Sequence, residues 1–102
     1  MENMLLYQNL KDCISDVAKW NRKKHVDQGN LIIEECSELI KEVAKCRRGM
    51  GDFEHLLEEC YDVLTTISVL FYLNDIPEER VLCGMSGKCV RTLTRYEETG
   101  QA

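Results

Sequence analysis

Apolar residues recur along this chain at intervals of three and four rather than two. This is the period of helices that pack through one face. The spacing predicts helices over about residues 5–24, 31–48, 53–73 and 86–98. Almost no stretch alternates in the way that strands do. The pattern therefore predicts an all-α, four-helix bundle-like fold.

Short polar segments separate the first three predicted helices. Asn30 is the expected N-cap of the second helix, and Asp52 is the expected N-cap of the third. The segment Gly49-Met50-Gly51 between them ends the second helix. These breaks mark the second and third helices as separate elements.

The fourth helix has the weakest pattern. Pro77 suits a first helical turn, and the two glutamates after it favour a helix N-terminus. Gly84 and Gly87 interrupt the pattern, because glycine disfavours a helix interior. We therefore expect the regular part of this helix to begin at about Ser86.

The second half of the third helix, Val63–Leu73, is apolar on nearly every side. A helix of this kind is buried on more than one face. A three- or four-helix monomer has too few neighbouring helices to bury all of these apolar faces. We therefore expect a homodimer or, as a dimer of dimers, a homotetramer.

Length and charge narrow the class of protein. The chain has 102 residues and a formal net charge of −5. The length predicts a single domain over residues 1–102. The acidic balance disfavours a nucleic-acid polymer or an acidic membrane as a partner.

The six cysteines do not have the spacing of a metal site or a disulfide framework. No C-x-x-C occurs, and Cys36 and Cys60 lie inside helical patterns, where free cysteine behaves as a small apolar residue. The N-terminal segment is polar and lacks the apolar run of a secretory signal. We therefore expect free thiols and a location in the reducing cytoplasm.

Two acidic clusters lie in the second and third helices. Residues 34–38 are Glu-Glu-Cys-Ser-Glu, and residues 58–62 are Glu-Glu-Cys-Tyr-Asp. Residues three apart on a helix share one face. Each cluster therefore carries a pair of carboxylates on one face: Glu35 with Glu38, and Glu59 with Asp62. If these faces pack together, each pair of charges about 4 Å apart costs about 4 kcal/mol at an effective dielectric of about 20.

An acidic helix face is most often simply solvated. The third helix argues against this reading for Glu59 and Asp62, because Thr66 and Val69 continue the same face into its apolar half. No lysine or arginine occurs in residues 50–78, so this helix cannot neutralise its own acids. A divalent cation would do so. Oxygen-only ligands favour Mg²⁺, with Mn²⁺ as an alternative, over zinc.

With these two motifs, the chain resembles the MazG-type nucleoside triphosphate pyrophosphohydrolases of the all-α NTP pyrophosphatase superfamily. The family pattern is E-E-x-x-E, a spacer, and E-x-x-D. Here residues 34–38 supply the first motif, and Glu59-Cys60-Tyr61-Asp62 supplies the second after twenty residues. The segment E-E-C-S-E-L-I-K-E-V-A-K-C-R-R-G also resembles the small MazG-like proteins. The resemblance covers about residues 28–98, and phosphoribosyl-ATP pyrophosphatase is the nearest rival within the superfamily.

The resemblance implies an activity and a set of site residues. The expected reaction is Mg²⁺-dependent hydrolysis of an NTP or dNTP to the monophosphate and pyrophosphate. The implied metal ligands are Glu35, Glu38, Glu59 and Asp62. The implied catalytic set contains these four acids and Glu34, one of which would orient the attacking water.

Basic residues are candidates for binding the nucleotide's phosphates. Lys88, Arg91 and Arg95 are spaced as one helical stripe, and similar proteins carry such a stripe there. Lys45 and Arg48, at the end of the second helix, are the other candidates. The alternative is a solvated basic stripe near a helix C-terminus.

Aromatic residues could stack on a nucleotide base. The candidates are Trp20, Tyr61 and Phe71, although aromatic residues at these spacings more often belong to a core. Two non-catalytic functions also stay open. One is a helical dimer whose acidic face binds a basic partner, and the other is a nucleotide-binding sensor that releases no pyrophosphate.

Overall fold

The computed structural model describes the backbone of residues 2–101 and the side chains of residues 8–101. It contains four helices: α1 (Glu2–Lys23), α2 (Gln28–Arg47), α3 (Phe53–Leu73) and α4 (Glu78–Thr99). No strand occurs within this described range, which confirms the all-α prediction. None of the helices between residues 2 and 101 combines the length and the apolar character that crossing a membrane requires.

The two helices that carry the acidic motifs each begin after an aspartate. Asp27 accepts a hydrogen bond from the backbone N–H of Asn30 at 3.0 Å, and α2 begins at Gln28. The prediction that Asn30 is the N-cap was wrong, because the carboxylate of Asp27 caps the helix three residues earlier. Asp52 caps α3 as predicted, through the N–H of Glu54 at 3.0 Å. The loss of such a cap typically costs about 1 kcal/mol.

Helix α4 is continuous from Glu78 to Thr99, and Pro77 is its N-cap rather than part of its first turn. Gly84 and Gly87 do not interrupt it, so the prediction that its regular part begins near Ser86 was wrong. Neither glycine has a positive φ. Each costs about 1 kcal/mol relative to alanine, which the uninterrupted backbone hydrogen bonds of the helix outweigh.

Helix α1 packs on the C-terminal half of α3. Ala18 of α1 and Val69 of α3 are the buried apolar residues among the side chains described, with 5% and 2% exposure. The Nη2 of Arg22 donates to the carbonyl oxygen of Leu73 at 2.8 Å, which satisfies an acceptor at the C-terminal end of α3. This contact fixes the end of α1 beside the end of α3.

Helices α2 and α3 form an antiparallel hairpin. Near the start of α2, the Nε2 of Gln28 donates to the carbonyl oxygen of Thr66 at 3.0 Å. Two turns further along α2, Glu35 meets the N-terminal half of α3. The hairpin therefore brings Glu35 of the first acidic motif to Glu59 and Asp62 of the second, while Glu38, the fourth acid of the expected set, is not among the grouped acids.

Helix α4 stands apart from the other three helices. It packs far less closely on them than α2 and α3 pack on each other, its start is joined to α1 by the ion pair of Lys11 with Glu78, and none of its residues is buried. The radius of gyration is 16.7 Å, whereas a compact domain of this length has about 13 Å. The accessible surface is 8311 Å², about 2,400 Å² more than expected for a compact monomer of this mass. One copy therefore leaves much apolar surface uncovered.

Candidate metal centre

Three acids of the two motifs meet where α2 faces α3. One carboxylate oxygen from each of Glu35, Glu59 and Asp62 lies within 4.8 Å of the other two. Glu35 and Glu59 are half-buried, and Asp62 is exposed, so the acid triad is open to solvent on the side of Asp62. Oxygen ligands of one Mg²⁺ lie about 3–4 Å apart. Small side-chain rotations would therefore bring these three oxygens into one coordination shell.

The electrostatics of the triad favour a cation. The pKa of Glu35 is raised above its usual value of 4.5, first by partial burial of the carboxyl group, then by the negative charges of Asp62 and Glu59, and lastly by those of Glu34 and Glu38. Each cause penalises the ionised form of Glu35. A divalent cation would remove this penalty.

Basic side chains do not neutralise the triad within one copy. Among the described side chains, the four ion pairs join Lys11 to Glu78, Lys19 to Asp16, Lys41 to Glu38, and Lys45 to Glu42. None of them includes Glu35, Glu59 or Asp62. A donor set of three carboxylates that no ion pair of the described side chains engages suits a hard divalent cation such as Mg²⁺ or Mn²⁺.

The other two acids of the first motif lie beside the triad. Glu38 is exposed, and its carboxylate accepts from the Nζ of Lys41 at 3.5 Å. It is close enough to raise the pKa of Glu35, but its oxygens are not among those within 4.8 Å of one another. Glu34 is exposed and accepts from the Nδ2 of Asn30 at 3.2 Å.

The basic residues at the end of α2 are solvent-facing. The exposed Lys45 lies with its Nζ 3.9 Å from a carboxylate oxygen of Glu42, a residue that is itself buried. Arg48 is exposed and is the C-cap residue of α2. Both residues lie at the end of α2 away from Gln28, past the acidic motif.

The basic stripe of α4 does not lie on the hairpin that carries the acids. Lys88, Arg91 and Arg95 are all exposed, on a helix that packs less closely on α3 than α1 or α2 does. Lys88 lines a shallow surface groove with residues such as Phe71 and Met85. Within one copy, these three basic side chains are therefore open to solvent and lie on a different helix from the acid triad.

The aromatic candidates differ in their surroundings. Trp20 is 58% exposed, and the Nζ of Lys23 lies 5.1 Å from its ring centroid. Tyr61 is also exposed, whereas Phe71 is half-buried. Trp20 and Tyr61 thus do not form a core within one copy, although their spacing favoured that interpretation.

One residue of this region was missed by sequence reasoning. Gln28 is buried and bonded through both ends of its amide, to Asn21 of α1 and to Thr66 of α3. A polar residue beside a helix start normally suggests a solvated position. Only its spacing of seven residues from Glu35, which puts both on one helix face, could have indicated its place in the interior.

Comparison with known proteins adds no assignment: no family model, curated protein or solved structure matches this chain.

Proposed function

We propose that this protein is a MazG-type nucleoside triphosphate pyrophosphohydrolase, which cleaves an NTP or dNTP to the monophosphate and pyrophosphate with the help of Mg²⁺. The observation that carries the proposal is the convergence of Glu35, Glu59 and Asp62, from motifs twenty residues apart in sequence, to within 4.8 Å. A triad of carboxylates without a basic partner suits a cation that in turn binds phosphate oxygens.

The acids of the two motifs would have different roles in metal binding and proton transfer. Glu35, Glu59 and Asp62 would hold the cation, and Glu38 would join them on leaving Lys41. When bound, Mg²⁺ or Mn²⁺ would supply Lewis-acid polarisation of the phosphoryl group. Glu34, or a motif acid with a free oxygen, would accept the proton of the attacking water.

Binding of the triphosphate needs positive charge, because the chain is acidic overall. We assign this role to exposed side chains on two helices. They are Lys45 and Arg48 at the end of α2, and Lys88, Arg91 and Arg95 on α4. Arginine can bind two phosphate oxygens at once through its planar guanidinium group.

We further propose that the active form is a homodimer, or a homotetramer built from two dimers, with a MazG-type fold completed by the second copy. The excess surface of about 2,400 Å² per copy matches what each partner buries in a large permanent interface. Ile40 of α2 and Leu64 of α3 are 69% and 62% exposed. At about 100° per residue, they lie on the same side of the hairpin, away from Glu38 and Asp62.

A second copy seated on this apolar side would leave the acids accessible. We call this side the apolar hairpin face, and its exposed members are Ile33, Ile40, Val43 and Leu64. If two copies pair symmetrically through this face, the dimer is closed and no further copies add to it. If the face stayed exposed, it would promote aggregation. The exposed apolar residues of α4, such as Leu93 and Tyr96, offer a further contact surface.

We place the protein in the cytoplasm. All six cysteines are free thiols, which suits a reducing compartment. Nucleoside triphosphates and Mg²⁺ meet there as well.

A screen for pyrophosphate release tests the activity. Canonical and damaged NTPs and dNTPs are incubated with the protein, with Mg²⁺ or with EDTA. The proposal expects release of pyrophosphate from at least one nucleotide with Mg²⁺ and none with EDTA. Nucleotide and Mg²⁺ binding without turnover would instead support a nucleotide-binding sensor, and absence of both would support an interaction module.

A further inference from the structure

Gln28 links three helices at a buried position. It is 7% exposed. Its Oε1 accepts from the Nδ2 of Asn21 at 2.9 Å, and its Nε2 donates to the carbonyl oxygen of Thr66 at 3.0 Å. A buried amide that makes both bonds resists displacement, because either broken bond leaves an unsatisfied polar group.

The bond to Thr66 has no counterpart elsewhere in the hairpin. Among the described side chains, it is the only hydrogen bond between α2 and α3, and no ion pair joins these two helices. Helices α2 and α3 also pack closely along their length, and apolar residues such as Leu39 and Val63 are half-buried. Apolar attraction is not directional, whereas a hydrogen bond needs one donor opposite one acceptor, so this bond favours the observed register over its neighbours.

The acid triad depends on that register. Gln28 and Glu35 are seven residues apart on one face of α2, and Thr66 is four residues from Asp62 on α3. The hydrogen bond therefore lies two helical turns, about 10 Å, from the triad. A slip of α2 by one residue would move Glu35 by about 1.5 Å along α3 and rotate it by about 100° away from Glu59.

The carboxylates themselves oppose this alignment. In the absence of a cation, three acids within 4.8 Å of one another repel. The repulsion favours any slip or rotation that separates α2 from α3 at this level. A directional contact on the same face is therefore needed to hold the triad ready for a cation.

We propose that Gln28 is a positioning residue for the metal centre, and that its hydrogen bond to the Thr66 carbonyl sets the register in which Glu35 meets Glu59 and Asp62. The inference rests on the proposed function for the identity of the ligand. The claim that Gln28 sets the register of α2 on α3 is independent of the proposed function. Gln28 touches neither cation nor substrate and acts through the placement of Glu35.

The test compares two isosteric substitutions. Gln28→Met keeps the volume of the side chain and removes the bond between α2 and α3. Asn21→Leu also removes a buried hydrogen bond, but it leaves the bond from Gln28 to Thr66 intact. Gln28→Glu is the second variant at position 28, because it retains the acceptor for Asn21 and loses the donor to Thr66. Gln28→Glu replaces Gln28→Met in the measurements if Gln28→Met does not fold.

Two measurements are made on each folded variant. The first is the register of α2 on α3 in metal-free protein, from nuclear Overhauser contacts between methyl groups of the two helices. The second is the Kd for Mn²⁺, from the electron paramagnetic resonance signal of the free ion. We expect altered contacts and a Kd raised about tenfold or more in the position-28 variants, as for other residues that orient metal ligands. Asn21→Leu should leave both measurements near those of the wild type.

The results separate the role of Gln28 in the helix register from the binding of a divalent cation. Wild-type contacts in the position-28 variants would overturn the role of Gln28 whatever the metal does. An unchanged Kd for Mn²⁺ in those variants, or an equal loss of affinity in Asn21→Leu, would overturn it as well. No binding of Mn²⁺ to the wild-type protein would refute the proposed function, and the methyl contacts would still decide whether Gln28 sets the register.

Discussion

Asp62 on α3 lies with a carboxylate oxygen within 4.8 Å of a carboxylate oxygen of Glu35 on α2. After partial burial of Glu35, the charge of Asp62 is the largest cause of the raised pKa of that residue. The charge of an acid on α3 thus opposes the ionisation of Glu35 on α2. This relationship leads to predictions about pH, metal binding and turnover.

Metal-free protein should lose stability as the pH rises above the usual pKa of glutamate. The pKa of Glu35 is raised from 4.5 in the folded protein. Its contribution to stability is therefore fully present below 4.5 and is lost as the pH rises through the folded-state pKa. Glu35→Gln should remove this part of the pH dependence. Urea unfolding of both proteins in EDTA, from about pH 4.5 to about pH 8, measures the difference.

The control for this experiment is Glu58→Gln, since Glu58 is an exposed acid on α3 outside the triad. It should retain the wild-type pH dependence. If Glu35→Gln and the wild type lose stability in parallel across this range, the pKa of Glu35 is not raised in the folded protein.

Divalent cations should stabilise the folded protein. A ligand at 100 times its Kd, bound to the folded state alone, adds about 2.7 kcal/mol. For a domain of this size, that raises Tm by about 10 °C or more. Asp62→Asn should abolish the rise, because it removes a charged ligand with little change in volume. Thermal unfolding with Mg²⁺ and with EDTA measures this rise. If Mg²⁺ does not change the Tm of the wild type, the metal centre is refuted.

Glu38 should matter less than Asp62 for metal affinity. The carboxylate of Glu38 is paired with Lys41 at 3.5 Å and is outside the triad, so it must leave this partner to join the metal shell. Glu38→Gln should therefore weaken Mn²⁺ binding, but by a smaller factor than Asp62→Asn. Titration with Mn²⁺ gives both factors. A larger loss in Glu38→Gln would mean that Glu38, rather than Asp62, is a principal ligand.

The sequence predicted the helices and the shared face of each acidic pair for a clear physical reason. Spacings of three and four define one helix face, and a hairpin brings the faces of Glu35 and Glu59 together. The sequence did not predict the start of α2, since Asp27 and Asn30 are both good caps and only the three-dimensional path chooses between them. It also missed Gln28, because hydrogen bonds between helices leave no periodic pattern.

The course of α4 could not be predicted from local patterns. Gly84 and Gly87 suggested a break, but the helix continues through both. Its exposed apolar residues gain cover only from surfaces outside the contacts of one copy. Local propensity therefore describes the helix poorly, because a glycine's cost of about 1 kcal/mol does not by itself break a helix.

Self-association should depend on the apolar hairpin face. Ile40→Glu places a charge at an exposed apolar position and should convert the dimer into a monomer, because burying an unpaired charge is costly. The neighbouring variant Lys41→Glu lies on the acid side of the hairpin and should leave the mass unchanged. Light scattering at micromolar concentration measures both. A wild-type protein with the mass of a monomer would contradict the proposed assembly.

Arg91 should contribute to substrate affinity rather than to chemistry. If the stripe on α4 binds the triphosphate, Arg91→Ala removes binding energy that is the same in the ground and transition states. KM should then rise while kcat stays near the wild-type value. Steady-state kinetics with the nucleotide found by the screen checks this. A drop in kcat with an unchanged KM would place Arg91 at the reacting phosphate instead.

The most direct test of the account is the identity of the products in wild type, Glu59→Gln and Glu58→Gln. Glu59 belongs to the triad, and the adjacent Glu58 is the exposed control of the same residue type. Phosphorus nuclear magnetic resonance of the reaction with Mg²⁺ resolves pyrophosphate from orthophosphate. A metal centre built on Glu59 should give nucleoside monophosphate and pyrophosphate in the wild type and in Glu58→Gln, and no turnover in Glu59→Gln. Release of orthophosphate, or full activity in Glu59→Gln, would contradict it.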